Sequence, residues 1–300
     1  MKCIKKIALV PNLTKKGASE TSSKVISILR ENGISVLMAE KNRELFGSKP
    51  VEFIDSADEL ITASDMVLTI GGDGTIMHAA RHASPLHRPL LGINMGRLGF
   101  VAGLEPNELS MLSRLATGDY NIEKRMMLNV RHNTREGSSL YYSINDVVIS
   151  RGFLSRLIDI DVTLDEDYMC NYRADGLIVS TPTGSSAYSL AAGGPVVEPT
   201  MKCIVMTPIC PHSLFARSVI FSHRSELVVN ASCDDDTEVF LTIDGAKTFV
   251  FRKTDTVVIT SSELQAEFID LKEKSFYRVL NDKFAEKSDD DEIPETIKDT

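Results

Sequence analysis

Through the first third of the chain, short apolar runs alternate with stretches whose apolar residues recur at helical spacing. "KIALVPN" (6–12), "ISVLMA" (34–39), "DMVLTI" (65–70) and "PLLGIN" (89–94) each predict a buried strand. "SETSSKVISILREN" (19–32) places Val25, Ile28 and Leu29 on one helical face and stops at Gly33, and "PNELSMLSRLATG" (106–118) predicts a second helix. Strand and helix in alternation predict an open α/β sheet flanked by helices. After about residue 120 the period shortens. "LYYSINDVVIS" (140–150), "LIDIDVTL" (157–164), "GLIVST" (176–181), "CIVMTP" (203–208), "ELVVNAS" (226–232), "EVFLTID" (238–244) and "KTFVFRK" (247–253) predict a β-rich, sandwich-like second domain. The expected division is an α/β domain over 1–120 and a β-rich domain over 121–271. A C-terminal helix follows over 272–287, packing back on the first domain, and then a disordered tail over 288–300.

Composition changes this picture in two places. With 300 residues and 43% hydrophobic content, the chain has enough apolar surface for two domains of ordinary size. Its net charge of −9 is uneven: residues 286–300 hold seven acids and two bases, so more than half of the imbalance sits in the tail. With no basic block elsewhere, a nucleic-acid partner is not expected. The start "MKCIKKIALVPN" lacks the apolar core and cleavage site of a signal peptide, and no run is long enough to cross a membrane. A cytoplasmic protein handling small molecules follows. Cys3, Cys170, Cys203, Cys210 and Cys233 are odd in number and include no CxxC pair, and are read as reduced core thiols.

Candidate chemistry begins where the third apolar run ends. In "DMVLTIGGDGTIMHAARHA" a strand runs into Gly71, Gly72, Asp73, Gly74 and Thr75, and a helix starts there. Glycines at such a junction allow a sharp turn and a close approach to a ligand, and the first amides of the helix favour an anion. Asp73 is out of place in a loop that only binds phosphate, because a carboxylate there repels the ligand unless it accepts a proton or receives a metal-neutralised group. His78, Arg81 and His82 share one helical face and offer positive charge nearby. The spelling fits neither the Walker loop nor the GxGxxG dinucleotide fingerprint.

Two further segments stand out. "SINDVVISRG" sets Asn145 and Asp146 in an otherwise apolar strand-like run, where neighbours face opposite sides. "TPTGSSAYSLAAGGPVV" (181–197) carries no charge over seventeen residues, in a chain that is 25% charged. Such a segment lies inside protein or against a ligand, presenting backbone amides and hydroxyls with little side-chain bulk.

Together, "GGDGT" (71–75), "GINMGRLGF" (92–100), "IND" (144–146), "RADGLIVSTPTGSSAYSLAAGGPVV" (173–197), "TPICPHSLFARSVI" (207–220) and "IDGA" (243–246) resemble the NAD kinase family, in order from about residue 6 to 271. GGDGT alone is shared with diacylglycerol and sphingosine kinases; the long uncharged segment is far more specific. The resemblance implies transfer of the γ-phosphoryl group of ATP to the 2′-hydroxyl of the adenosine ribose of NAD, giving NADP. It implies Mg2+ carried by ATP rather than held by protein ligands, and a homodimer or homotetramer. Asp73 becomes the proton acceptor in a phosphate loop of Gly71, Gly72, Asp73, Gly74 and Thr75. Asn145 and Asp146 bind the adenosine, Tyr188 packs on it, and Thr183, Ser186, Ala187, Ser189, Leu190 and Ala191 line the site. Gly74, His78 and Arg156 are further contacts, and Arg173 and Asp175 reach the nicotinamide end, often from a neighbouring subunit. Ala246 is a further NAD-binding position, where the family commonly has Gln and this chain therefore lacks a polar contact, and Met95 stands where Leu or Arg is frequent.

Overall fold

Strands without a polar face must be covered on both sides, and the first third of the chain is built that way. The computed structural model describes residues 3–96, 99–101, 103–153, 156–213, 216–233, 238–272 and 276–281. The contacts of the chain fall into two units. One comprises Met1–Ile76, Leu90–Asn121 and Ile269–Thr300, the other Met77–Pro89 and Ile122–Phe268.

In the first unit β1 (Lys6–Pro11), α1 (Ala18–Glu31), β2 (Ser35–Ala39), α2 (Arg43–Phe46), β3 (Val51–Ile54), α3 (Ala57–Thr62) and β4 (Met66–Gly71) follow one another. Next come α4 (Asp73–Ala83), whose residues from Met77 belong to the second unit, β5 (Leu90–Asn94) and α5 (Arg114–Thr117). The strands pair in parallel in the order β5-β4-β1-β2-β3. β4 and β5 are buried along their whole length, as expected of a parallel sheet covered on both faces. α1 turns Val25, Ile26 and Leu29 inward and ends at Gly33, whose φ of 74° suits glycine. The expected helix over 106–118 is a 3-10 turn at Leu109–Ser113 followed by the single turn of α5. With Leu109, Leu112 and Leu115 all buried, apolar spacing here fixes which face is inward without fixing the helix type.

The second unit is antiparallel throughout. It contains β6 (Asn121–Thr134), β7 (Gly137–Ser143), β8 (Asp146–Arg151), β9 (Ile158–Leu164), β10 (Asp167–Ala174) and β11 (Gly176–Ser180). After α6 (Tyr188–Ala191) come β12 (Cys203–Ile209), β13 (Val219–Ser222), β14 (Leu227–Ser232), β15 (Val239–Ile243), β16 (Lys247–Phe251) and β17 (Thr256–Asp270). One sheet runs β13-β12-β11-β8-β15-β16; in the other β10-β9-β14-β17 are neighbours and the β6–β7 hairpin pairs to β17. Their inward faces share one core, with Val147, Ile149, Leu177 and Leu241 from the first sheet and Ile160, Val162, Val229 and Val257 from the second. This is the expected sandwich.

Two expectations are corrected. The run 140–150 is not one strand: β7 ends at Ser143, Ile144 and Asn145 form a bend, and β8 begins at Asp146. Of the cysteines, all five are free but only Cys203 is buried, while Cys3 and Cys210 are exposed. Residues 276–281 are helical; the rest of the expected C-terminal helix, the acidic tail, Arg97–Leu98 and Leu214–Phe215 lie outside the described residues.

Candidate active site

β1 and β4 are parallel neighbours, yet the chain leaves β1 for β2 and β3 on one side and returns through β4 and β5 on the other. The carboxyl ends of two such strands flank the crevice where open α/β sheets take their ligands. Those ends are Pro11–Asn12 and Gly71–Gly72. Asn12 donates through its side chain to Thr75 Oγ1 at 3.2 Å and through its amide to the Ile70 carbonyl at 2.8 Å. A Cβ at Gly71 would overlap the Thr75 side chain, so glycine is required there by close approach. Gly72 and Gly74 face open space instead, which leaves the turn uncovered by side chains.

Asp73 starts α4 within this turn. Its Oδ2 accepts from the Phe100 amide at 2.9 Å, and its Oδ1 is buried without a partner among the described residues. A Cβ at Gly99 would overlap that Oδ1. The second glycine of "GRLGF" therefore makes room for the carboxylate, and the following amide holds it. His78 lies exposed along α4, with Nδ1 3.2 Å from Arg81 Nη2. Arg81 turns toward the interior instead. Its side chain is 17% exposed, and its Nη1 donates to the Asp244 carbonyl at 3.3 Å and lies 3.8 Å from the Asp244 carboxylate.

Asp244 explains the bend between β7 and β8. Its carboxylate accepts from Ser143 Oγ at 2.7 Å and from the amides of Ile144, Asn145 and Asp146 at 3.1, 2.8 and 3.2 Å. Three successive amides can converge on one anion only where the strand gives up its extended form. The Asp244 amide in turn donates to the Asp146 carbonyl at 2.9 Å. Asp146 is 6% exposed, and its burial, followed by the charge of Asp244, pushes its carboxyl up to about 7.

The uncharged segment packs against the same bend. Thr181 donates through its amide to the Asn145 carbonyl at 2.9 Å and through its hydroxyl to the Ile144 carbonyl at 2.5 Å. A Cβ at Gly184 would overlap the Asn145 carbonyl oxygen. Much of the segment is interior: Thr181, Thr183, Ser185 and Ser189 are buried. Ser185 Oγ accepts from the Val197 amide at 2.9 Å, and Ser189 Oγ lies 2.9 Å from Thr207 Oγ1. Ser189 thus faces the interior, away from any open surface. Ala187, Tyr188 and Ala191 are exposed, Ser186 and Leu190 half-buried, and the buried Thr183 Oγ1 has no partner among the described residues. Ala246 is exposed in the turn after Asp244, close to this cluster.

Arg156, Arg173 and Asp175 lie elsewhere. Ser180 pairs with Asp146 while Gly176 pairs with Ser150, so Asp175 sits at the far end of β8 and β11. Four strand residues separate the two ends, about 13 Å. Arg173 opposes Asp159 near the start of β9, two residues beyond Leu157 and the exposed Arg156. Asp175 accepts from Arg151 Nε at 2.5 Å. The expected contacts on β8, β10, β11 and the 183–191 segment therefore form two clusters within the second unit, while Asp73 and Gly74 belong to the first. Among the described residues no group of three or more His, Cys, Asp or Glu side chains is arranged to hold a metal ion. No helix among them is long and apolar enough to cross a membrane.

Sequence reasoning missed Asp244, Gly99 and Thr181. Asp244 precedes a glycine and reads locally as a turn residue, which it also is. Nothing near it in sequence shows that its carboxylate reaches back about a hundred positions.

Comparison with known proteins extends these observations. A family model described as the ATP-NAD kinase N-terminal domain matches residues 7–120, and one described as the ATP-NAD kinase C-terminal domain matches residues 144–271. An NAD kinase of Natranaerobius thermophilus is 38% identical over 283 residues, 93% of this chain and 98% of that protein. One from Carboxydothermus hydrogenoformans is 41% identical over 251 residues, 82% and 89% of the two chains. In three dimensions the chain is similar to yeast NADH kinase complexed with NADH, with a TM-score of 0.86 at 22% identity, covering 95% of this chain and 88% of that one. An NAD kinase from Archaeoglobus fulgidus in complex with ATP gives 0.73 at 23% identity, covering 93% and 98%. At those identities the two structures speak for the fold.

Proposed function

The chain belongs to the NAD kinase family, and from that premise we propose that Asp73 accepts the proton as NAD is phosphorylated, while the bend at Asn145–Asp146 and the segment 183–191 hold the adenosine of NAD. The reaction is ATP-dependent phosphorylation of NAD to NADP. Phosphoryl transfer of this kind passes through a loose transition state, so positioning and charge neutralisation do most of the work. Mg2+ enters with the phosphates of ATP as part of that substrate.

One observation carries the assignment of Asp73: a carboxylate at the carboxyl end of β4 with one oxygen held by the Phe100 amide and the other buried without a partner. An oxygen so placed is ready to accept from a hydroxyl. Aspartate is a weak base near neutral pH, so the proton leaves late, after the new P–O bond has begun to form. The open space at Gly72 and Gly74 admits the phosphates against the first turn of α4. On the adenosine side, Tyr188, 47% exposed, offers a ring face for the base, and Asp146 offers a carboxyl to the ribose.

The cluster of Arg156, Arg173 and Asp175 serves a neighbouring copy in this reading, giving a homodimer or homotetramer with nicotinamide contacts supplied across the interface. We place the protein in the cytoplasm, where five free thiols are in keeping with a reducing compartment.

The test is direct. Purified protein with NAD, ATP and Mg2+ is assayed through a dehydrogenase that uses only NADP, with Asp73→Asn alongside. NADP from the wild type and a kcat at least two orders of magnitude lower in the variant are expected. Near-normal turnover in the variant removes Asp73 from the role.

A further inference from the structure

Asp244 brings a buried charge to the adenosine side of the site, next to a second buried carboxyl at Asp146. The Asp244 side chain is 1% exposed, and four donors from residues 143–146 satisfy it as hydrogen bonds without supplying a formal positive charge. Among the described residues, Arg81 is the basic side chain that comes within ion-pair distance. It arrives from the last turn of α4, the helix that Asp73 begins.

We propose that Arg81 is a positioning residue for NAD: by pairing with Asp244 it fixes the bend that presents Asn145 and Asp146, and it touches no substrate itself. The inference rests on the reading of Asn145 and Asp146 as adenosine contacts. Its physical basis is the asymmetry of buried ion pairs, in which removing one partner leaves the other charge uncompensated. Without Arg81 the Asp244 carboxylate must gather water or a proton, and either draws it out of the ring formed by the three amides. The fork of the guanidinium matters as well as its charge. Nη1 reaches the Asp244 carbonyl while Nη2 reaches His78 Nδ1, and a lysine ammonium cannot span both.

The experiment compares the full-length wild type with Arg81→Met and Arg81→Lys by two readouts. The first is amide hydrogen exchange at Ile144, Asn145 and Asp146, with the interior of β8 at Val147–Ile149 as reference. The second is steady-state kinetics with NAD and ATP varied separately, with NAD binding by calorimetry. Arg81→Met is expected to speed exchange at the three bend amides at least tenfold with β8 unchanged. It is also expected to raise the KM for NAD about tenfold, with the KM for ATP within twofold. Arg81→Lys, which keeps the charge and the fold if Arg81→Met does not, is expected to fall between the two. Unchanged exchange at the bend in both variants overturns the proposal whatever happens to NAD. Faster exchange with undiminished NAD binding overturns the link to NAD and, with it, the placement of Asn145 and Asp146 at the adenosine; in that case the wild type still makes NADP. Equal increases in both KM values also overturn it, since they mark a general loss of structure.

Discussion

The main-chain amide of Phe100 donates to the carboxylate of Asp73 at 2.9 Å, and Gly99 beside it has no room for a side chain. The two residues lie in a segment that sequence alone marks only as part of a family motif. A methyl group at position 99 has to push against the Asp73 oxygen that has no partner among the described residues. Displacement of a reacting group by about 1 Å costs on the order of a hundredfold in rate. Gly99→Ala is therefore expected to lower kcat by one to two orders of magnitude with a melting temperature close to that of the wild type. Steady-state kinetics beside a thermal melt check this, and unchanged kcat would show that the Asp73 carboxylate is not held where the structure has it.

Asp146 ties stability to pH. Its carboxyl is raised to about 7, first by burial and then by the charge of Asp244, so the folded state holds a proton that the unfolded chain releases near pH 4. The sign follows directly. This contribution is complete at low pH, falls away as pH rises toward 7, and is lost above it. Asp146→Asn, which is neutral throughout, is expected to gain stability over the wild type as pH rises from about 5 to about 8, by on the order of a few kcal/mol at the upper end. Urea midpoints at several pH values measure it; a difference that stays flat with pH contradicts the assignment.

Tyr188 is 47% exposed at the start of α6, the only aromatic residue in the uncharged segment. Stacking of a base on an aromatic ring is worth about 1–3 kcal/mol. Tyr188→Ala should raise the KM for NAD by roughly ten- to hundredfold and leave the KM for ATP within a few-fold. Kinetics with each substrate varied in turn decide the matter, and equal effects on both would remove the ring from the adenine.

Gly184 is closed to substitution for a different reason, since a Cβ there would overlap the Asn145 carbonyl oxygen. Both partners are main chain, so neither yields cheaply. Gly184→Ala is expected to cost about 1–3 kcal/mol of stability, on the scale of overpacking a core, and to raise the KM for NAD at the same time. A thermal melt with the kinetic assay tests both effects; a variant with normal stability and normal NAD affinity contradicts the contact.

How much of this was readable from the chain depends on where each signal is stored. β4 announces itself because every position of "MVLTIG" (66–71) is buried, and apolar runs are visible without context, whereas the parallel edge strand β3, with its part-exposed "VEFI", is not visible in the pattern. β6 and β10 do not: "NIEKRMMLNVRHNT" opens with charged residues, and "DYMCNYRA" buries only Tyr172 and Ala174. The break at Ile144–Asn145 was invisible because its cause is the carboxylate of Asp244, far away in sequence. The glycines of GGDGT were legible as a turn, but the different roles of Gly71, which meets Thr75, and of Gly72 and Gly74, which meet nothing, are matters of packing. The uncharged segment signalled a special surface, and four of its six hydroxyl side chains, Thr181, Thr183, Ser185 and Ser189, turn out to be buried.

Asp244 also has a backbone φ of 49°, in the left-handed region. That conformation is comfortable for glycine, asparagine and aspartate, and strained for nearly everything else. Glycine keeps the backbone and loses the anion; asparagine keeps one acceptor for the four donors that converge on Oδ1 but loses the charge and puts an amide nitrogen where Oδ2 faces Arg81; glutamate keeps the charge and loses both the backbone preference and the reach. Aspartate alone combines the backbone, the acceptors and the charge that faces Arg81. Every substitution at 244 therefore gives up the backbone conformation, the acceptor or the charge, in a turn most of whose own residues are exposed.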